Sequence, residues 1–292
     1  MKIYNLGSLN IDYVYAVDHF VFSGETLSSK SLNIFPGGKG LNQSVALARA
    51  GVRVIHGAVV GDDGELLLST LGDAGADTTR IKRGEGKSGH AIIQVNGEGQ
   101  NCILLFAGTN HCITEDYIEE FLADAQQDDI LLLQNEVNNI DLIFNIANKK
   151  GMQIAFNPSP FDEKIKELPL SYVKWWFCNE IECEALFGSN NPEEMVAIFR
   201  ESYPQSNLIL TLGENGSVFI NAQKCVKQPI YKVRAVDTTA AGDTFTGYFI
   251  AAVAEGKGEE YALTLAAKAS AITVSKSGAS TSIPTLDEVL AF

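Results

Sequence analysis

The chain has 292 residues, 46% of them hydrophobic, and a formal net charge of −14. That length and apolar share suit one large globular α/β unit with a substantial core. The acidic balance argues against nucleic acid or an anionic membrane surface as partner, so an anionic substrate must be met by local positive potential such as backbone amides.

The opening residues Met1-Lys2-Ile3-Tyr4 lack the apolar core of a signal peptide, and no apolar run approaches the roughly 20 residues of a membrane span. A cytoplasmic location is the expectation. Lys2–Leu6 reads as a short buried strand that exits into Gly7-Ser8-Leu9-Asn10 and on to Asp12. Residues 11–35 have the look of paired hairpin strands. Pro36-Gly37-Gly38-Lys39-Gly40-Leu41-Asn42-Gln43 then leads into a helix over Leu41–Ala50. Its glycines are either a tight helix entry or a place where backbone approaches a polyol, with Asn42 and Asp12 as hydrogen-bonding partners. Asp12 is alternatively a turn or cap residue.

Val54–Val60 reads as the next strand and Leu66–Ala74 as a helix. Gly61-Asp62-Asp63-Gly64 lacks the spaced ligands of a calcium loop and reads as a turn. Gly84-Glu85-Gly86-Lys87-Ser88-Gly89 spells a dinucleotide fingerprint but precedes a strand, and a Walker reading would need glycine at Ile81. Residues 88–106 form a second hairpin candidate, His90–Val95, a turn at Asn96-Gly97, and Ile103–Phe106. Strands inserted here suggest a small accessory sheet, a lid over a site or a dimer contact.

Strand and helix patterns then alternate: helix Glu115–Ala125, strand Ile130–Gln134, helix Ile140–Asn148, strand Gln153–Asn157, strand Trp175–Cys178, helices Glu180–Phe187 and Pro192–Glu201, strand Leu208–Leu212. This predicts an α/β fold, a mostly parallel sheet with helices on both faces, whose ligands gather beyond the carboxyl ends of the strands. Several polar exits sit at such ends. Glu136 is a sugar-hydroxyl acceptor or a surface acid. Asn179 and Glu182 are a helix cap or groups near a phosphate-bound Mg²⁺. Thr211-Leu212-Gly213-Glu214-Asn215-Gly216 is a hairpin turn into Ser217–Ile220 or a track along a nucleotide.

Tyr231–Val236 reads as a strand, followed by Asp237-Thr238-Thr239-Ala240-Ala241-Gly242-Asp243-Thr244-Phe245-Thr246-Gly247 and a helical apolar segment reaching Ala254. Small residues before a helix start present free amides and the positive end of the dipole, a good phosphate site. A carboxylate inside it, Asp243, makes sense as the group that takes a proton from an attacking hydroxyl. That points to phosphoryl transfer. The five cysteines (Cys102, Cys112, Cys178, Cys183, Cys225) have no zinc spacing and are expected to be reduced and buried. The Asn42 and Asn215 sequons are then chance matches.

With these motifs in order, the chain resembles the ribokinase branch of the PfkB carbohydrate kinase family over essentially its whole length. The resemblance implies a Rossmann-like sheet in a single domain, 1–292, with a β lid from about 11–35 and 88–108, often dimerised through the lids. It implies transfer of the ATP γ-phosphoryl group to the 5-hydroxyl of D-ribose, with Mg²⁺ on the phosphates. Asp243 is the implied base, and the amides of Ala240, Ala241 and Gly242 the implied anion hole. Sugar contacts would come from Asn10, Asp12, Gly38, Lys39, Asn42 and Glu136, and ATP contacts from Asn179, Thr211, Gly213, Gly216 and Gly242. A monovalent cation, K⁺, is implied beside Asp237, Thr239, Thr273, Lys276, Gly278 and Ser282, held mainly by carbonyls. The chain departs from the family pattern at Ala240, at Ala267-Lys268 beside the nucleotide, and at Leu41 and Thr109, where a changed sugar pocket is expected. A kinase for deoxyribose, fructose or a nucleoside, and a sugar-binding regulator without chemistry, are the alternatives. A dehydrogenase lacks a properly placed fingerprint.

Overall fold

The computed structural model describes all 292 residues, Met1–Phe292. In chain order its elements are β1 (Ile3–Leu6), β2 (Asn10–Ala16), β3 (Ser31–Gly37), α1 (Lys39–Arg49), β4 (Val54–Gly57), β5 (Val59–Val60), α2 (Glu65–Ala74), β6 (Lys82–Arg83), β7 (Gly89–Val95), β8 (Asn101–Phe106) and α3 (Glu115–Phe121). They continue with β9 (Ile130–Gln134), α4 (Ile140–Lys149), β10 (Gln153–Asn157), β11 (Val173–Asn179), α5 (Glu180–Phe187), α6 (Pro192–Ser202), β12 (Asn207–Thr211), β13 (Ser217–Asn221), β14 (Cys225–Gln228), α7 (Ala241–Ala254), α8 (Glu259–Val274) and α9 (Leu286–Ala291).

Eight strands form the main sheet in the order β14-β13-β12-β11-β10-β9-β1-β4. The six from β12 to β4 are parallel, and β13 and β14 add an antiparallel edge. Successive side chains of a strand leave on opposite faces, so both faces must be covered. Trp175 and Phe177 join one core with α1, α2, α7 and α8, while Trp176 and Cys178 join the other with α3 to α6. The chain direction through the sheet reverses beside β1, where β4 and β9 lie on either side. That switch point opens a crevice at the carboxyl ends of the strands.

A separate four-stranded sheet, β3-β2-β7-β8, is made by the two expected hairpins laid side by side. Its second turn is wider than an Asn-Gly pair: the Asn96 amide bonds the Gln100 carbonyl, and Gly99 takes the left-handed conformation. The Gly61–Gly64 and Gly84–Ser88 segments are turns, as read from the sequence.

Four sequence expectations need correction. Val54–Val60 is not one strand, because the Tyr117 hydroxyl takes the Ala58 amide at 2.8 Å and lets β5 leave to pair with β6. The helix from Glu115 ends at Phe121, four residues short of Ala125. Tyr231–Val236 is not a strand, since β14 already occupies the sheet edge and the Val236 amide bonds the Val274 carbonyl at the end of α8. Its alternating pattern is real, but Tyr231, Val233 and Ala235 line a cavity instead of facing a neighbouring strand. Among the cysteines, all free, Cys102 and Cys112 are exposed.

The contact that matters most for function is between α1 and α7. A Cβ on Gly247 would lie 2.4 Å from the Ala46 Cβ and 3.0 Å from the Leu47 amide nitrogen, so the two helices touch backbone to backbone. Gly247 stands one turn after Asp243, on the same face of α7. Gly247→Ala is expected to lower stability by about 1–3 kcal/mol through overpacking, read as a denaturation midpoint. It should also reduce turnover by moving Asp243 relative to α1; full turnover in the variant would disprove that coupling.

Candidate active site

The site lies at the crevice and has two parts that meet at the first turn of α7. On one side is the Gly-rich entry to α1. Gly37 is required there because a Cβ would fall 2.1 Å from the Asp12 Oδ2, and Gly40 because one would fall 2.4 Å from the Ser8 amide nitrogen. These glycines therefore make room for the protein's own carboxylate and backbone. Gly38 takes φ 95° as the residue that turns β3 into α1.

Asp12 lies within β2 and is neither a turn nor a cap residue. Burial, followed by the neighbouring charge of Glu136, pushes its carboxyl up to about 7. Glu136 is held by the Lys39 amide at 3.0 Å and by the Ser8 hydroxyl. Burial raises its carboxyl too, against the opposing pull of Lys39. Lys39 is partly buried; desolvation acts to lower its pKa, but the charges of Asp243, Glu136 and Glu182 outweigh this and leave it raised. Asn10 is buried and accepts from Asn110 Nδ2 at 2.8 Å.

Asp243 is 8% exposed. Its Oδ2 accepts from Asn42 Nδ2 at 3.0 Å and its Oδ1 from Gln43 Nε2 at 2.9 Å. Each carboxylate oxygen keeps a lone pair for an incoming hydroxyl. Asn42 Oδ1 is buried with no partner, a free acceptor beside the same place. Residues 10, 12, 38, 39, 42, 136 and 243 thus share one polar neighbourhood.

On the other side is a cavity of about 790 Å³. Asn179, Thr211, Gly213, Gly216 and Gly242 all line it, together with Thr238, Ala241 and an apolar wall from Pro229 to Ala235. Asn179 and Glu182 form the reciprocal capping box on α5 that the helix-cap reading expects; Asn179 also lines the cavity, whereas Glu182 does not. Likewise Gly213–Asn215 is a turn of 3₁₀ helix into antiparallel β13 while its glycines border the cavity.

Ala240 takes φ 60°, a left-handed conformation costing a non-glycine residue about 1 kcal/mol. The amides of Ala240, Gly242 and Asp243 then have no acceptor in the protein, whereas Ala241 donates to the Thr238 carbonyl at 3.3 Å. The free set therefore differs by one member from the expected Ala240, Ala241 and Gly242. These free amides stand at the positive end of the 14-residue helix α7.

Asp237 accepts from the Thr239 and Gly278 amides at 2.9 and 3.1 Å, tying the loop before α7 to the loop after α8. The carbonyls of Asp237, Thr239, Lys276, Gly278 and Ser282 receive no hydrogen bond, while that of Thr273 accepts the Lys276 amide. The Lys276 ammonium itself pairs with Glu288 at 2.9 Å.

Other departures read from the sequence fall differently. Leu41 points into the core with no exposure, so it does not shape the sugar pocket. Thr109 is buried with its hydroxyl unpartnered. Ala267 does line the cavity, and the Lys268 ammonium lies 5.8 Å from the Tyr231 ring at its wall. The sequence reading assigned no role to Gln43, Ser8 or Asn110. Gln43 was visible as part of the Gly-rich motif; for Ser8 and Asn110, only the tertiary contacts reveal what they hold.

This fold has known counterparts. A pfkB family carbohydrate kinase model matches residues 2–286. The chain belongs to the pfkB family of carbohydrate kinases. It is 38% identical to the ribokinase of Haemophilus influenzae over 299 residues, covering 98% of this chain and 96% of that protein. Arabidopsis thaliana ribokinase complexed with ribose and ATP superposes with a TM-score of 0.89 at 28% identity, covering 99% and 97% of the two chains. Cryptococcus neoformans ribokinase in complex with ADP gives 0.85 at 32% identity, covering 99% of each.

The raised Asp12 carboxyl makes a stability prediction for the unliganded protein. Between the ordinary value of 3.8 and about 7, the folded chain holds a proton that the unfolded chain has released. This group's contribution to stability therefore falls as pH rises through that window. Asp12→Asn is expected to melt with a shallower pH dependence than the wild type between those values and to be the more stable protein at neutral pH. Parallel melting curves for the two proteins would contradict the assignment.

Proposed function

We propose that the protein transfers the γ-phosphoryl group of ATP to the 5-hydroxyl of D-ribose, giving ribose 5-phosphate and ADP. One observation carries the reading: a carboxylate, Asp243, stands on the first turn of α7 among unpaired amides, next to Gly242 at the cavity wall, and it bonds Asn42 in the polar set around Asn10, Asp12 and Glu136. The names of the relatives add ribose and ATP as the two substrates.

In this reading the sugar binds against Asn10, Asp12, Gly38, Lys39, Asn42 and Glu136. Asp12 and Glu136 accept from sugar hydroxyls, which replace the water their carboxylates lost on burial. The triphosphate reaches along the cavity past Asn179, Thr211, Gly213 and Gly216. Asp243 takes the proton of the attacking hydroxyl, and the amides of Ala240, Gly242 and Asp243 receive the charge that develops on the transferring group. Lys39, set among three carboxylates, offsets the negative charge that would otherwise oppose a triphosphate.

No cluster of three or more His, Cys, Asp or Glu side chains is placed to hold a metal. Mg²⁺ would enter on the nucleotide phosphates and keep much of its water. One Glu182 oxygen accepts the Asn179 amide, leaving the other for such a water. Bound there, Mg²⁺ would neutralise part of the phosphate charge. The unbonded carbonyls around Asp237 and Gly278 are a hard-oxygen set suited to K⁺, beside the loop that shapes the amide site.

The small sheet acts as a lid that keeps water from the reacting groups. Every residue of its edge strand β8 is exposed, including Ile103, Leu104, Leu105 and Phe106. A long apolar edge of this kind invites pairing, and we assign a second copy of the chain as its cover. Wild-type protein should sediment as a dimer and Leu104→Asp as a monomer; a wild-type monomer at micromolar concentration would remove this assignment.

The deciding experiment is a coupled assay of ADP release across ribose, deoxyribose, fructose and nucleosides. Ribose should give the highest kcat/KM, and sugar binding without ADP release would instead indicate a non-catalytic regulator. Asp243→Asn is expected to lower kcat by about 10²-fold or more with ATP binding retained; near-normal turnover would refute its role. In the same assay, replacing Na⁺ by K⁺ at fixed Mg²⁺ should raise the rate, and a flat response would exclude the cation site.

A further inference from the structure

Behind Asp243 runs a buried chain of hydrogen bonds that the proposed chemistry does not itself use. Gln43 Oε1 accepts from Gln134 Nε2 at 2.7 Å, and the same nitrogen donates to Asn5 Oδ1 at 3.1 Å. Asn5 Nδ2 donates in turn to the Gly40 carbonyl and to the Ser44 hydroxyl, both at 2.8 Å. The Ser44 hydroxyl shares a hydrogen bond of 2.7 Å with His56 Nδ1. Gln43, Gln134, Asn5, Ser44 and His56 are all fully buried.

The direction of this chain follows from its first member. An ionised carboxylate only accepts, so Gln43 must turn its amino group to Asp243 and its carbonyl away. Gln134 must then present its amino group to that carbonyl, since the reverse orientation would set two acceptors face to face. The consequence is visible at the other end of the same amide: Gln134 Oε1 is buried with no donor at all. An orphaned buried acceptor is destabilising, so a chain selected only for packing would have little reason to keep it.

We propose that Gln43 and Gln134 are positioning residues that fix the orientation of the Asp243 carboxylate for proton abstraction, with Gln134 acting only through Gln43. The proposal rests on the sugar kinase reading. Gln43 touches the carboxylate. Gln134 stands on β9, the strand next to β1 in the sheet, and anchors Gln43 to that rigid frame. Asn42, on the other carboxylate oxygen, supplies the second point, so the plane of the carboxylate is set by two donors from α1. Misplacing a reacting group by a fraction of its contact distance costs rate more than binding.

The test compares Gln43→Met, Gln134→Met and the double variant with wild type by steady-state kinetics in saturating ribose, ATP and Mg²⁺. Each single variant is expected to lower kcat by about tenfold or more while both KM values stay within about twofold. The double variant should be no slower than the slower single one, because Gln134 has no route to Asp243 once Gln43 is gone. Gln134→Leu and Gln43→Leu also remove the hydrogen bonds, and they serve where a methionine variant is recovered unfolded. A Gln134→Met enzyme with wild-type kcat, a rise in KM at unchanged kcat, or losses that multiply in the double variant would each overturn the relay. Wild-type protein inactive on every sugar and nucleoside would overturn the kinase reading and the relay together, whereas an active wild type with insensitive variants overturns the relay alone.

Discussion

The backbone contact between α1 and α7 governs the rest of this molecule. Residues from near the two ends of the chain meet there: Asn42 and Gln43 on one helix, Asp243 on the other, some 200 positions apart in sequence. Gly247 permits the approach, and Ala46 fills the space that any larger residue would need. Because helices pack as rigid bodies, one such contact sets the position of everything on the facing sides. The polar set around Asp12, Asn42 and Glu136 and the unpaired amides of α7 are thereby held to one geometry.

Electrostatics completes the arrangement. A chain of net charge −14 offers an anionic ligand no overall attraction. The local positive potential here is largely main-chain: three unpaired amides and a helix N-terminus, joined by one partly buried lysine. The carboxylates nearby are partly buried and crowded, and Asp12 and Glu136 bear raised pKa values in consequence. Sites that bring unsatisfied groups together in this way are unstable on their own and are relieved by the ligand that supplies the missing partners.

Much of the architecture was legible in the residues themselves, and the failures have identifiable causes. The alternation of short apolar runs with amphipathic segments gave the parallel sheet, because each buried strand must be near-continuously apolar. The two inserted hairpins were visible for the same reason that their strands pair. Tyr231–Val236 misled, since a two-residue period reports one wet and one dry side and does not say whether the dry side is a strand or a cavity. Val54–Val60 misled because the hydroxyl that interrupts it, Tyr117, comes from a helix far along the chain. Leu41, expected near the sugar, turned inward with the face of α1 that packs on the sheet. In the amide site, one turn of backbone geometry at Ala240 exchanged Ala241 for Asp243 among the free donors.

The sequence alone determined the class of chemistry, since a carboxylate among small residues at a helix start is a local pattern, and local patterns depend on neighbours in the chain. It also determined the sheet and helix alternation and the presence of a second, small sheet. Only the tertiary structure decided how Asp243 is held, that Glu136 is gripped by Ser8 and Lys39 and not left on the surface, and that Gln134 stands behind Gln43. Those contacts join residues separated by about a hundred positions or more. Their hydrogen bonds exist only once two helices and two strands have been brought into register by packing, which no local stretch of sequence encodes.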